Sequence, residues 1–290
     1  MRPLDAGDPI EGHGPVEGHG PAEGHRPMEG RWLGRVPYRE GWALQHRLVG
    51  ERAAGKIPDQ LILLEHDAVL TLGRNADPSH VRVLPALLEE RGIELIRVER
   101  GGEVTYHGPG QLVAYPIVRL TERGMLIRPY VRALEAAMAE TAATYGVAAA
   151  RREGLPGLWV DLDGPLPRKL GALGVRVERG VTYHGIALNV TTDLRDFGLI
   201  DPCGLSNIGV TSIAREAGWP AARQAPSTDS VANAAVVFAT ALARLFEAEL
   251  AWVEPTPAAG PRAPGRRRTG AKRGPRRSGR APDPAAAGVG

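Results

Sequence analysis

Arg100-Gly101-Gly102-Glu103-Val104-Thr105-Tyr106-His107-Gly108-Pro109-Gly110-Gln111 is the stretch whose reading decides how this chain folds. Four of its twelve residues are glycine, and a Val-Thr-Tyr segment of high strand propensity lies between the two glycine pairs. One reading is an ordinary hairpin with its turn at His107–Gly110. The other is a wall for a ligand, because glycine lets a backbone approach a bound molecule closely or take positive φ. The second is preferred, since charged, aromatic and imidazole groups stand together here. Glu94–Val98 before the stretch and Leu112–Val118 after it read as strands.

Working outward towards the N-terminus, Tyr38, Trp42, Gln45 and Val49 have helical spacing, which predicts a helix from Pro37 to about Ala54. Leu61–Leu64 and Val69–Leu72 are of strand length, and Pro85–Arg91 is a short helix closed by Gly92. Towards the C-terminus, Val131, Leu134, Met138, Thr141 and Tyr145 predict a helix that starts at Pro129 and is capped by Gly146. Gly157–Asp161, the later half of Arg168–Val177, and Tyr183–Val190 read as strands. A short helix near Ser212–Ala217 and a long one from about Ser230 to Leu250 follow.

Two residues outside the glycine stretch carry candidate chemistry. Cys203, in Ile200-Asp201-Pro202-Cys203-Gly204, is the one cysteine of 290 residues. A lone thiol closes no intramolecular disulfide and builds no zinc site by itself. It is either a small buried hydrophobe or a nucleophile exposed on a Pro/Gly turn. Lys169, in Arg168-Lys169-Leu170-Gly171-Ala172-Leu173-Gly174, is either a snorkelling edge lysine or an amine desolvated among small apolar residues. Desolvation favours the neutral amine, a base that can take a proton from a thiol. A Cys/His hydrolase using His107 or His184 is a further option.

The ends of the chain look unfit to pack. Residues 11–28 repeat every six residues in Gly, Pro, Glu and His, with His13, His19 and His25 in register. Such spacing could suit nickel or zinc, but nothing fixes a ligand geometry, and a solvated leader is the preferred reading. Residues 261–290 hold nine Arg and Lys against one Asp. That leaves 27 bases and 32 acids, a charge of −5, for residues 1–260, although the whole chain sums to +3. A specific nucleic-acid role for the folded part loses its main support. No apolar run of membrane length and no apolar export segment is present, so the expectation is a cytoplasmic protein without a membrane partner. The expected domains are a disordered leader (1–30), one catalytic domain (31–254) and a disordered basic tail (255–290).

The motifs Arg-Gly-Gly-Glu-Val-Thr-Tyr-His-Gly-Pro-Gly-Gln from Arg100, Arg-Lys-Leu-Gly-Ala-Leu-Gly-Val-Arg from Arg168, His-Gly-Ile-Ala-Leu-Asn-Val from His184 and Asp-Pro-Cys-Gly from Asp201 occur in this order. Together they resemble the lipoyl (octanoyl) transferases, from about Leu33 to Leu250. The resemblance implies an α+β fold, a single domain with a mixed, largely antiparallel sheet flanked by helices, as in biotin and lipoate protein ligases. It implies transfer of an octanoyl or lipoyl group from octanoyl-acyl carrier protein to a lysine of lipoyl domains. Those acceptors are the E2 subunits of 2-oxoacid dehydrogenases and the glycine cleavage H protein. The acyl-thioester cysteine falls on Cys203 and its partner lysine on Lys169. The substrate-contacting residues fall on Arg100, Gly101, Gly102, Glu103, Val104, Thr105, Tyr106 and His107; on Ala172, Leu173 and Gly174; and on Gly185, Ile186 and Ala187. No cofactor and no metal are expected, and the enzyme is expected to act as a monomer. The rivals are an ATP-dependent lipoate or biotin ligase on the same fold, and a non-catalytic binding module acting through the Arg-rich tail.

Overall fold

A computed structural model describes residues 26–201, 209–220 and 227–254 of the chain. By its internal contacts the chain divides into residues 1–260 and 261–290, and the second unit lies wholly outside the described residues. In order, the strands and helices are β1 (Arg26–Val36), α1 (Tyr38–Ala53), β2 (Asp59–His66), β3 (Val69–Leu72), α2 (Pro85–Glu90), β4 (Glu94–Arg97), β5 (Val104–His107) and β6 (Gln111–Ile117). They continue with α3 (Ile127–Thr144), β7 (Ala150–Arg152), β8 (Leu155–Val160), β9 (Arg168–Glu178), β10 (Val181–Asn189), β11 (Gly209–Val210), α4 (Ile213–Glu216), α5 (Thr228–Leu245) and β12 (Ala248–Trp252).

Nine strands form one sheet in the order β12-β1-β2-β6-β10-β9-β8-β7, with β11 added on β9, and β4-β3-β5 form a second, smaller sheet. Pairing is antiparallel from β2 through to β7 and parallel at β12–β1, β1–β2 and β11–β9. This is the mixed, largely antiparallel α+β arrangement expected. One face of the large sheet buries Leu61, Leu112, Leu158 and Leu188 against Leu134 and Met138 of α3 and Phe238 and Leu242 of α5. Each such side chain contributes roughly 1.5–3 kcal/mol when fully removed from water. The other face carries Ile62, Leu64, Val113 and Ala187 under Leu48 and Val49 of α1. Beneath them Asp59 is locked by Arg52 Nε at 2.7 Å and Arg123 Nε at 2.6 Å, a buried charge cluster tying β2 to α1 and to the turn before α3.

Two local expectations are corrected. The expected leader ends at residue 30, but Arg26–Gly30 belong to β1, where Met28, Gly30 and Trp32 alternate inward; all three pair with β2, and Met28 and Gly30 also pair with β12. The last helix does not reach Leu250. It ends at Leu245, Glu247 turns the chain at φ 51°, and β12 returns beside β1. The glycine stretch does not form the hairpin that was set aside. β5 and β6 do not pair with each other: β5 pairs β3 in the small sheet, and β6 pairs β2 and β10 in the large one. The turn between them is a seam between sheets, not a hairpin.

Candidate active site

The seam is held by polar contacts that a hairpin would not need. Gly110 sits at φ 83°, and a Cβ there would fall 2.5 Å from the Thr191 carbonyl oxygen. The Gly110 N–H donates to the buried carboxylate of Glu65 at 2.5 Å. Gln111 Nε2 donates to Asn189 Oδ1 at 3.0 Å, and Gln111 Oε1 lies 2.8 Å from His107 Nδ1. The loop before β5 is drawn onto the large sheet at its other end. Gly101 N–H donates to the Val175 carbonyl of β9 at 3.1 Å, and a Cβ on Gly174 would sit 2.6 Å from the Gly101 oxygen. Three glycine-bearing segments thus meet where side chains would not fit.

Between them lies a cavity of about 330 Å³, within the range of small-molecule sites. Its walls are residues 100–105, residues 171–175 of β9 and residues 184–187 of β10, with Val131, Pro156, Phe197 and Val210 at the sides. Lys169 stands at one end on β9. Its Nζ lies 4.9 Å from the centre of the Trp159 ring, within cation–π reach. Gly157, at φ 126°, makes room for it, since a Cβ there would sit 3.0 Å from Lys169 Cε. β11 is fixed beside Lys169 by its pairing with Arg168 and Lys169 and by the bond from Thr211 N–H to the Lys169 carbonyl at 3.0 Å. Arg168 bonds Glu216 of α4 through Nε at 2.9 Å, which holds the Glu216 carboxyl below the usual carboxylate range.

Cys203 lies outside the described residues. The chain on either side of 202–208 is nevertheless placed. Ile200 bridges to Val81, and Asp201 N–H donates to the His80 carbonyl at 2.8 Å. Phe197 before the segment and Val210 after it both line the cavity.

Twelve of the fourteen expected contact residues line the cavity: Arg100, Gly101, Gly102, Glu103, Val104, Thr105, Ala172, Leu173, Gly174, Gly185, Ile186 and Ala187. Tyr106 and His107 do not. Tyr106 turns into the small-sheet core and meets Phe197 edge-on at 5.3 Å, with Gly108 giving way to its hydroxyl. His107 is buried behind the wall, stacked on Tyr38 at 5.8 Å and beside His66 at 6.0 Å. Burial drives its pKa well below that of a free imidazole, so it is neutral. Arg100 lines the cavity, but its guanidinium also bonds Thr71 O at 2.7 Å, Thr71 Oγ1 at 2.8 Å and Gly101 O at 3.0 Å, bracing the loop.

Sequence reasoning missed Gln111, Tyr115 and Asn189 as lining residues and gave His184 only a hydrolase role. His184 lies 1% exposed at the wall, and burial lowers its pKa to about 3. Tyr115, next to it, is driven well above a free phenol by burial. The signal for His184 was its place immediately before Gly185; Tyr115 had none, since Leu112–Val118 reads as a plain buried strand. Among the described residues no group of three or more His, Cys, Asp and Glu side chains is placed to hold a metal, and no helix is long and apolar enough to cross a membrane.

This sheet with its glycine-walled cavity defines a class, the lipoyl ligase catalytic domains. Residues 37–237 match the family described as Lipoyl protein ligase A/B catalytic domain, and the chain belongs to that family. It is 48% identical over 187 residues to a protein named Octanoyltransferase from Chloroflexus aggregans, covering 64% of this chain and 83% of that one. A protein of the same name from Acidobacterium capsulatum is 50% identical over 192 residues, covering 63% and 78%. In fold, the chain is similar to the bi-partite lipoate protein ligase of Thermoplasma acidophilum, with a TM-score of 0.54 at 17% identity, covering 80% of this chain and 89% of that one. It is equally similar to a lipoate-protein ligase A bound with ATP, with a TM-score of 0.54 at 18% identity, covering 79% and 91%.

Proposed function

We propose that this chain is an octanoyltransferase of protein lipoylation that works through an acyl-thioester on Cys203, with Lys169 as its base. The observation that carries this reading is positional. Lys169 lines an apolar cavity walled by glycine, β11 just after the segment containing Cys203 pairs with it, and Phe197 just before that segment lines the same cavity. The Cys203 thiol gives its proton to Lys169, and the thiolate attacks the acyl carrier protein thioester. The new Cys–S–acyl bond forms as the pantetheine C–S bond breaks, and Lys169 returns the proton to the departing sulfur. In the second half Lys169 takes a proton from the acceptor lysine, whose amine attacks the acyl carbon. An amide forms as the Cys203 C–S bond breaks, and the second proton lost by the nitrogen goes to the departing Cys203 sulfur. Thioester to amide runs downhill, so no ATP is consumed.

The acceptors in this reading are lipoyl domains of 2-oxoacid dehydrogenase E2 subunits and the glycine cleavage H protein. The catalytic unit is residues 26–254, acting as a monomer in the cytoplasm, with the flanking sequence dispensable.

The test is to mix the enzyme with octanoyl-acyl carrier protein alone and record an intact mass spectrum. One octanoyl adduct should appear, labile to hydroxylamine and absent from Cys203→Ser. A lipoyl domain added without ATP should clear it and gain the acyl group on one lysine. Turnover that requires ATP and free acid would make the chain a ligase. Normal turnover with no adduct under rapid quench would mean direct transfer and return Cys203 to a core role.

A further inference from the structure

The cavity has two unlike ends. Lys169 and Val175 are six residues apart on β9, about 20 Å at the rise of an extended strand, and Val175 pairs with His184 on β10. The Lys169 end is partly exposed. The other end carries three buried polar groups: His184, Tyr115 and Arg100, at 1%, 4% and 7% exposure.

His184 is held there by a built device. The β6–β10 ladder runs from Gln111–Asn189 to Ala114–Ile186 and resumes at the bridge Arg119–Val181. In the gap, Pro116 has no N–H to give, and its carbonyl is taken by Thr182 Oγ1 at 2.7 Å. His184 adopts φ 54°, and its N–H turns instead to Gln45 Oε1 of α1 at 2.7 Å. Left-handed backbone is uncommon for a residue with a side chain, and histidine tolerates it better than most. The ring stacks on Tyr183 at 4.9 Å and meets Tyr115 edge-on at 6.4 Å. Its Nε2 is buried with no hydrogen-bond partner among the described residues, and the residue lines the cavity. Buried polar atoms rarely go unpaired in native proteins, so this one calls for an explanation.

We propose that His184 is a specificity-determining residue that reads the far end of the acyl chain. A chain long enough to reach it is accepted when it ends in a hydrogen-bonding group and rejected when it ends in methyl. The inference rests on the acyl chain entering from the Lys169 end, as proposed above. Three extended single bonds span at most about 3.6 Å, so an octanoyl chain reaches about 9 Å and stops short of the imidazole. A longer saturated chain presses methyl on Nε2 and keeps it from any partner, which should cost roughly five- to a hundredfold in kcat/KM. A terminal hydroxyl both donates and accepts, so it satisfies the imidazole in either tautomer.

The experiment uses the full chain and isosteric donor pairs on acyl carrier protein: nonanoyl against 8-hydroxyoctanoyl, tridecanoyl against 12-hydroxydodecanoyl, and heptadecanoyl against 16-hydroxyhexadecanoyl, the longest of which spans about 19 Å. Each pair competes for one lipoyl domain, and the products are counted by mass. The wild type should prefer methyl in the shortest pair and swing at least about tenfold towards hydroxyl as length increases. A hydroxyl-to-methyl ratio that is constant with length overturns the proposal. His184→Asn tolerates positive φ and is shorter, so it should displace the swing to longer chains; an unchanged swing in the folded variant overturns the assignment to His184. Should that variant not fold, the wild-type pairs still decide. Loss of octanoyl transfer itself in the wild type would overturn the proposed function and this inference with it, whereas normal octanoyl transfer with a flat ratio overturns this inference alone.

Discussion

Two buried regions of this molecule are made from different materials. Under α3 and α5 the large sheet is sealed by Met138, Leu134, Phe238, Leu158 and Leu188, all essentially without solvent exposure and all apolar. Around the seam between the two sheets, equally buried positions are held by His66, His107, His184, Gln45, Gln111 and Glu65. The first region needs only shape and volume, because dispersion and water exclusion are non-directional. The second must satisfy donors and acceptors one by one, as in the chain Val36 O–His66–Tyr115 at 2.7 Å on each side. A polar interior of this kind stabilises less than an apolar one of equal volume, since desolvation offsets much of each hydrogen bond. What it provides is fixed direction, which the walls of a reaction cavity need.

Substitutions should therefore separate along this line. The largest effect is expected at Lys169: Lys169→Ala should lower kcat/KM by about a thousandfold or more while the melting temperature barely moves. A melting shift that accounts for the lost activity would place Lys169 among structural residues instead. Phe238→Ala in the apolar core should do the reverse. It should cost about 3–5 kcal/mol in urea unfolding, with kcat/KM unchanged for the molecules that remain folded. Gly174→Ala crowds the Gly101 carbonyl at 2.6 Å and should displace the 100–103 loop. A loss of about 10–100-fold in kcat/KM is expected, with under about 2 kcal/mol lost in stability. Full activity in that variant would show that the loop's contact with β9 is not required.

Acid should find the polar region first. Burial holds the His66 pKa at about 4 and that of His184 at about 3, both below an unfolded imidazole. As pH falls past about 6.5 the unfolded chain takes up protons that the folded chain refuses. Stability from these groups is therefore complete above that pH and declines to about pH 4 for His66 and about pH 3 for His184. Each contributes a slope of about 1.4 kcal/mol per pH unit within its window. Urea midpoints between pH 7 and 4.5 should show this, and His66→Gln should remove one imidazole's share of the slope. An unchanged slope would mean that His66 is not neutral in the fold. The smallest effect is expected at Trp159→Leu, which removes the ring facing Lys169 Nζ and should change kcat/KM by about two- to fivefold.

The wild-type sequence carried much of this in local form. Most strands and helices followed from period and punctuation, because hydrophobic alternation and glycine or proline breaks act within a few residues. Four motifs in order were enough to point to the lipoyl transferases and to mark Lys169 and the three segments that wall the cavity. The expectations that failed were those that depend on a distant partner. β1 and β12 are strands because each pairs with the other; neither Arg26–Gly30 nor Ala248–Trp252 has a sufficient local signal. Tyr106 and His107 sit inside a binding motif, yet their side chains leave the cavity, because β5 pairs with β3 and not with β6. His184 turns inward because Pro116, sixty-eight positions earlier, cannot complete a ladder, and because Gln45 of another helix supplies the missing acceptor. The sequence by itself determined the elements and the reactive residue types, since those rest on short-range sterics and polarity. Which faces meet, which buried polar atoms find partners and where the cavity ends were decided only by tertiary structure, because those depend on groups far apart in the chain.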